Sequence, residues 1–407
     1  MSVYLGIDWS QTHHDACWLT ERGQVLNRLT VPHTVAGLAH LDAVCQQLGV
    51  SRAECRVGLE TAHTLLIDFL WDRGYSQVYV IPPGAIKGAR RRYRQTNAHT
   101  DQSDAWLIAD VLRTDPATLH PWQPDGLIVR QLRAKVSLLQ FLKREIRRLD
   151  NRLQAVLARY YPAALQVFHA TASPVALRFL QAFPTPTAAA NLSRQAFGQF
   201  ARAHRYRQSD TVLSAAYARL QAAYPVASPT IVAAYQAEAV WLAAQLLASL
   251  EYKQRAMAHL HTLFQQHPDR DVFASLPGVG DFLAPALLAK FGDDRARFPD
   301  PQSVQCLAGT CPVTDQSGKR RRVYFRQACD HEFRQIAQQW ARASIGSSSW
   351  AATYWHSVMA HSRSVSHAYR CLANRWLAIA WKCWQNHQPY DEAIHLQNRA
   401  RRLATRA

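Results

Sequence analysis

The chain has 407 residues, with 47 Lys+Arg against 29 Asp+Glu and a formal net charge of +18. At 48% hydrophobic and 19% charged it is no disordered basic tail, and it is long enough for two or three packed domains. The expectation is a protein with no spanning helix, since no uninterrupted apolar run is long enough, and no signal peptide, since the opening Met-Ser-Val-Tyr-Leu-Gly-Ile-Asp lacks a basic leader; its partner is a polyanion, nucleic acid before an acidic membrane surface.

In chain order, Val3–Asp8, Ala16–Thr20 and Val25–Val31 read as hairpin-linked strands around the turn Glu21-Arg22-Gly23. Val35–Leu48 has helical periodicity, Arg56–Glu60 reads as a strand, Ala62–Arg73 as a helix and Gln77–Ile81 as a strand ended by Pro82-Pro83-Gly84. A basic loop follows, then a helix over Asp101–Arg113. Three strands and then alternating helix and strand match a ribonuclease-H-like α/β fold, a mixed sheet with helices on both faces.

Four acids stand out by position. Asp8 ends the first predicted strand and Glu60 the fourth, while Asp101 and Asp104 share one face of a helix's first turn. Carboxylates gathered at one sheet edge repel each other unless a cation neutralises them, and Mg²⁺ is the hard ion that suits oxygen ligands. Against this, an acid at a helix start also reads as a cap and dipole partner, and Asp15, Asp68, Asp72 and Asp110 read equally well as surface acids.

Leu139, Leu142, Ile146, Leu149, Leu153 and Val156 step by three and four, the seam of a coiled coil. Outside the seam lie cations including Arg144, Arg147, Arg148 and Arg152, with only Glu145 and Asp150 to pair with them over 136–159. They read as a solvated face or as a ridge for a nucleic-acid backbone. A second apolar-periodic stretch runs from Ile231 to about Phe264 and is expected to return antiparallel to the first. Between them, 162–227 reads as short helices separated by prolines.

Leu276-Pro277-Gly278-Val279-Gly280 before Phe282–Phe291 looks like a helix-hairpin-helix, in which Gly278 and Gly280 admit a phosphate to backbone N–H groups; an ordinary helical hairpin is the plainer reading. Ser317-Gly318, on a predicted loop, precedes Lys319, Arg320, Arg321 and Arg322, a run that suits phosphate. From the residues alone Ser317 is an ordinary turn serine, with no Ser-His-Asp pattern around it. Six of the twelve tryptophans fall between Trp340 and Trp384, at spacings that read as core. Eight scattered cysteines include no C-x-x-C; Cys306, Cys311, Cys329 and His331 fit no common zinc spacing, so they read as free thiols. The tail Arg399–Arg406 is a short basic end.

Charge divides along the chain. Residues 1–115 hold 11 Lys+Arg and 12 Asp+Glu, and the remainder holds 36 and 17. The expected division of labour is chemistry in a neutral first domain (1–125) and polyanion grip in a helical region (126–267) and a C-terminal domain (268–407).

Gly6-Ile7-Asp8-Trp9-Ser10, Leu59-Glu60-Thr61, Thr100-Asp101-Gln102-Ser103-Asp104-Ala105, Leu276-Pro277-Gly278-Val279-Gly280 and Gln316-Ser317-Gly318 follow one another in an order and spacing that resemble the insertion sequence 110 family of DEDD-type transposases, over nearly the whole chain. The resemblance implies a RuvC-like domain, a coiled-coil region and a C-terminal transposase domain. It implies that Asp8, Glu60, Asp101 and Asp104 bind Mg²⁺, and that Ser317 attacks DNA to form a 5′-phosphoserine. It further implies a guide RNA encoded by the element and pairing with donor and target DNA. The oligomer implied is a dimer assembling to a tetramer in which each site takes acids and serine from different subunits, in the bacterial cytoplasm at the nucleoid. A Holliday-junction-type nuclease using water, and a non-catalytic nucleic-acid-binding protein, are the alternatives. An actin-like ATPase, suggested by Gly6-Ile7-Asp8, lacks a second glycine-rich phosphate loop.

Overall fold

A computed structural model describes residues 2–61, 65–93, 100–318, 320–362, 364–394 and 396–397. Lys319, Arg363 and the tail Arg399–Arg406 lie outside them. The chain forms two compact units, Met1–Pro124 and Asp125–Ala407.

The first unit is a five-stranded mixed sheet of β1 (Val3–Trp9), β2 (His13–Leu19), β3 (Val25–Pro32), β4 (Cys55–Leu59) and β5 (Gln77–Val80), in the order β3-β2-β1-β4-β5. β2 runs antiparallel to both of its neighbours, while β1, β4 and β5 are parallel. Period-two alternation sorts β1 between two cores. Val3, Leu5 and Ile7 join Trp18 and Val57 under α1 (Val35–Gln47) and α2 (Leu65–Asp72). Tyr4 joins Cys17 and Tyr79 under α3 (Pro83–Arg92) and α4 (Asp101–Thr114). Residues expected to be a basic loop therefore begin with the helix α3. Pro82 and Pro83 end β5 but also start this helix, because Pro83 lacks the N–H that a first turn leaves unpaired, and Arg90, Arg91 and Arg92 sit in its last turn, where cations suit the dipole.

The second unit is mostly helical. α5 (Leu127–Tyr160) carries the predicted seam. After it come α6 (Ala164–Val167), α7 (Pro174–Ala182), α8 (Pro186–Ala190), α9 (Arg194–Ala203) and α10 (Asp210–Leu220), then the long α11 (Pro229–Gln265). Leu132, Val136 and Leu139 share a core with Leu260, Leu263 and Phe264, whereas Leu153, Val156 and Leu157 share another with Ala239, Leu242 and Leu246. The start of α5 thus meets the end of α11, and the two helices are antiparallel. Ile146 and Leu149, in mid-seam, are only half-buried. By length and composition α11 is apolar enough to cross a membrane, so the missing uninterrupted run did not exclude such a helix. Here one side of it is buried along α5, and its Glu238 pairs with Arg152 at 2.6 Å.

α12 (Arg270–Ala274), α13 (Gly280–Phe291) and α14 (Pro301–Leu307) precede a two-stranded hairpin, β6 (Val313–Ser317) and β7 (Arg320–Tyr324). α15 (His331–Ser344), α16 (Ser349–His361) and α17 (Val365–Gln385) complete the unit. Trp340, Trp350, Trp376 and Trp384 are buried in its core. Trp340 and Trp376 donate their N–H groups to the Pro277 carbonyl and to Ser344 Oγ, which satisfies the polar edge of two large apolar rings.

Candidate active site

The acids are brought together by register. Gly6 follows Tyr4 by two on the α4 face of β1, and a Cβ there would lie 2.0 Å from the Ala105 carbonyl oxygen and 2.4 Å from the Ala109 nitrogen. Only glycine lets α4 lie this close to the strand. Asp8, two residues on, keeps the same face, so the start of α4, with Asp101 and Asp104, comes near it. On one side Asp8 pairs across strands with Asp15 of β2. On the other, Glu60 stands one step beyond the last paired residues, Ile7 and Leu59. Asp15, Asp8 and Glu60 therefore form a row over three neighbouring strands.

Burial and neighbouring charge both act on Asp8. Burial first, then the charges of Asp104, Glu60, Asp101 and Asp15, push the Asp8 carboxyl from 3.8 up to about 7. Arg90 and His13 stand among these carboxylates. The Arg90 guanidinium pairs with Asp104, and His13 Nε2 lies 3.6 Å from Asp101 and 3.8 Å from Asp15. Among the described residues, His13, Asp15 and Asp101 place one ligand-type atom each within 4.8 Å of one another. The start of α4 is held by a capping box between Thr100 and Ser103, which leaves Asp101 free of the capping role that its position suggested.

Sequence reasoning missed two of these residues. Asp15 read as a surface acid but is buried, with Thr30 donating to it at 2.5 Å. The hairpin register that sets it opposite Asp8 was the available signal. His13 fell between two predicted strands, outside both, and lies on β2. Asp110, also read as a surface acid, is buried with Arg113 at 2.5 Å and Tyr93 around it.

Ser317 lies at the end of β6 rather than on a loop. Gly318, with φ 56°, opens a two-residue connection that lets the chain reverse at once. Ser317 pairs with Arg320, Gln316 with Arg321 and Asp315 with Arg322. Alternation puts Ser317, Asp315, Arg320 and Arg322 on one face of the hairpin, and every described residue of both strands is exposed. Lys319 lies outside the described residues.

Gly278 and Gly280 have φ 77° and 52°. The close approach that glycine allows at 278 is to protein, since a Cβ there would lie 2.7 Å from the Ala343–Ser344 backbone of α15. Gly280 is exposed at the start of α13 with open space around its Cβ position. On α5, Arg144, Arg147, Arg148 and Arg152 are all exposed. Arg148 pairs with Glu145 at 2.7 Å, and Arg152 takes Glu238 from α11, a partner that a count along α5 alone does not find. Arg144 and Arg147 have no ion pair among the described residues. The Cys306, Cys311, Cys329 and His331 atoms form no converging ligand group among the described residues, and all eight cysteines are free thiols.

Comparison with known proteins follows the same two regions. A family described as a transposase, of the DEDD IS110 type, matches residues 5–162, and one described as "Transposase IS116/IS110/IS902 family" matches residues 270–356. The chain is 28% identical over 398 residues to a mini-circle putative transposase for IS117 of Streptomyces coelicolor, covering 96% of each chain. It is 26% identical to an uncharacterized 42 kDa protein of insertion element IS900 from Mycobacterium paratuberculosis, covering 96% of this chain and 98% of that one. With the gathered acids inside the first match and the Ser317 hairpin inside the second, this chain belongs to the IS110 family of transposases.

Proposed function

We propose that this chain is an RNA-guided DNA recombinase that cleaves and rejoins donor and target strands, with Ser317 as nucleophile and with Asp8, Glu60, Asp101 and Asp104 holding Mg²⁺. The crowding at Asp8 carries the proposal: burial and four neighbouring carboxylates oppose its ionisation, as a site built around a divalent cation would. Carboxylate oxygens are the donors a hard ion takes, and Asp101 already converges with Asp15 and His13 among the described residues. When bound, Mg²⁺ supplies charge neutralisation for phosphodiester oxygens. The strand order β3-β2-β1-β4-β5, with β2 alone reversed, supports a ribonuclease-H-like, RuvC-like identity for Met1–Pro124.

The chain's own residues do the following. Ser317 Oγ bonds to phosphorus as the bond from phosphorus to the 3′ oxygen breaks. The serine gives up its proton, the 3′ oxygen leaves as a hydroxyl, and the DNA 5′ end stays on the protein as phosphoserine. Attack by a second 3′-hydroxyl reverses the step, so strands rejoin with no outside energy source. Arg320 and Arg322, on the serine's face, hold the phosphate's non-bridging oxygens, and Lys319 and Arg321 add charge to the hairpin. Exposed Gly280 offers backbone N–H groups to a phosphate, while Gly278 serves its packing. Arg144 and Arg147, with Arg148 and Arg152, grip nucleic-acid backbone.

The family resemblance supports the remaining parts: an element-encoded guide RNA, a dimer assembling to a tetramer, a coiled-coil role for α5 with α11, functional divisions near residues 125 and 267, and work at the bacterial nucleoid. The test is adduct trapping on a nicked substrate. Wild type is expected to form a covalent protein–DNA adduct that Ser317→Ala lacks. Cleavage by wild type with no adduct would replace the serine with water as nucleophile.

A further inference from the structure

The β6–β7 hairpin has a root as well as a tip. Phe325 follows β7 directly and is 39% exposed. Two guanidinium groups lie over its ring, Arg334 of α15 at 4.3 Å and Arg370 of α17 at 4.5 Å from the centroid. Arg326 Nε donates to the Cys311 carbonyl at 3.1 Å, which closes the base of the hairpin. Arg334 donates to the Arg326 carbonyl and to Cys329 Sγ, and its own buried Nε–H has no acceptor. No carboxylate is in ion-pair reach of these three arginines among the described residues. The nearby acids Asp330 and Glu332 are both taken by Lys290, at 2.8 and 3.0 Å.

Guanidinium groups gathered without a counter-ion repel one another. A ring face recovers only ~0.5–2 kcal/mol for each. Fastening the hairpin root would need one arginine, or an arginine with a carboxylate. A cluster left cationic beside an exposed aromatic ring suits an anion with several oxygens, which guanidinium binds in a forked geometry.

We propose that Arg334 and Arg370, over Phe325, seat a phosphodiester of the DNA strand that Ser317 attacks, resting on the reading of Ser317 as the nucleophile. The seat is displaced from the cut by the length of β7. From Arg320, opposite Ser317, to Phe325 is about 17 Å at ~3.4 Å per residue. Phosphates of one strand this far apart are separated by only a few nucleotides. The seat fixes the register of the strand and reads no base.

The experiment measures binding of the donor DNA by the full chain in the Ser317→Ala background, across a salt series. Arg334→Gln and Arg370→Gln are each expected to lower the slope of log affinity against log salt by about 0.9. Arg370→Lys, which keeps the charge, is expected to restore most of it. Neutral methylphosphonate, scanned singly over the first six linkages from the cut, should weaken binding by the parent protein at one linkage and have no added effect there on the Arg334→Gln/Arg370→Gln double variant. An unchanged slope overturns the seat, as does a change seen with an RNA strand and not with DNA. Exchange protection of the hairpin amides separates a third outcome: if both Gln variants lose it as fully as Phe325→Ala, the arginines only fasten the hairpin and the seat is rejected. Because binding needs no cleavage, a seat that survives while adduct trapping fails would overturn only the role of Ser317.

Discussion

Replacing Asp8 by Asn should stabilise the metal-free protein at neutral and alkaline pH and leave it unchanged in acid. The Asp8 carboxyl rises from 3.8 to about 7 on folding, because burial and the charges of Asp104, Glu60, Asp101 and Asp15 oppose its ionisation. The folded state therefore holds this proton more tightly than the unfolded state. The stability so contributed is fully present below about pH 4 and is lost as the pH rises through about 7. At ~1.4 kcal/mol for each tenfold change in proton affinity the ceiling is ~4 kcal/mol. Asp8 is only half-buried, so solvent screening reduces the expected gain to ~1–2 kcal/mol. The assay is urea unfolding of the full chain in EDTA at pH 4 and pH 8, followed by a labelling pulse at one common pH and by exchange at β1 and β4. Asn at position 8 should raise the midpoint at pH 8 only. Added Mg²⁺ should then raise the wild-type midpoint at pH 8 more than the variant's. An equal effect of the substitution at both pH values would refute the crowding on which the metal reading depends.

Other substitutions separate the contributions. Asp101→Asn and Asp104→Asn should each abolish Mg²⁺-dependent cleavage while leaving nucleic-acid binding intact; activity persisting in EDTA would exclude the metal role. Gly6→Ala places a Cβ 2.0 Å from the Ala105 carbonyl oxygen and must displace α4. Its expected cost is ~3 kcal/mol or more of stability, with cleavage lost even where the fold survives, measured by urea unfolding and strand cleavage. Gly278→Ala, forced against the α15 backbone, should destabilise the second unit more than Gly280→Ala, which meets open space, when the two are compared by thermal melting. Arg144→Gln and Arg147→Gln should each flatten the salt dependence of nucleic-acid binding by about 0.9. Arg148→Gln should do less, because its charge is already paired with Glu145.

Much of the architecture was legible in the sequence because it depends on local periodicity. β1, β3, α1, α4 and the two long helices α5 and α11 follow from alternation, from three-and-four spacing and from the turns between them. The position of Asp8 near a strand end, and of Asp101 and Asp104 on one turn of a helix, followed from the same patterns. Proline misled at Pro82-Pro83, where the residue that stops a strand also starts a helix. Ser317 was placed on a loop because Gly318 reads as a breaker. Glycine with positive φ can instead make the short connection of a hairpin, which keeps the serine on a strand.

What the sequence by itself determined was which residues share a face within each element. Which faces meet was decided by tertiary structure. Asp15 and Asp8 are seven residues apart, and only the hairpin register sets them side by side on one face. Glu60 joins them through parallel pairing of β4 with β1, a contact between residues more than fifty apart in the chain. Arg152 finds Glu238 only because α11 returns along α5. Arg334 and Arg370 stand over one ring only because α15 and α17 pack beside the hairpin root. Side-chain direction is a property of a few consecutive backbone angles and can be read locally. Proximity between elements depends on register and on packing around glycines such as Gly6, where the absence of a single Cβ sets how closely a helix carrying two acids approaches the strand carrying a third.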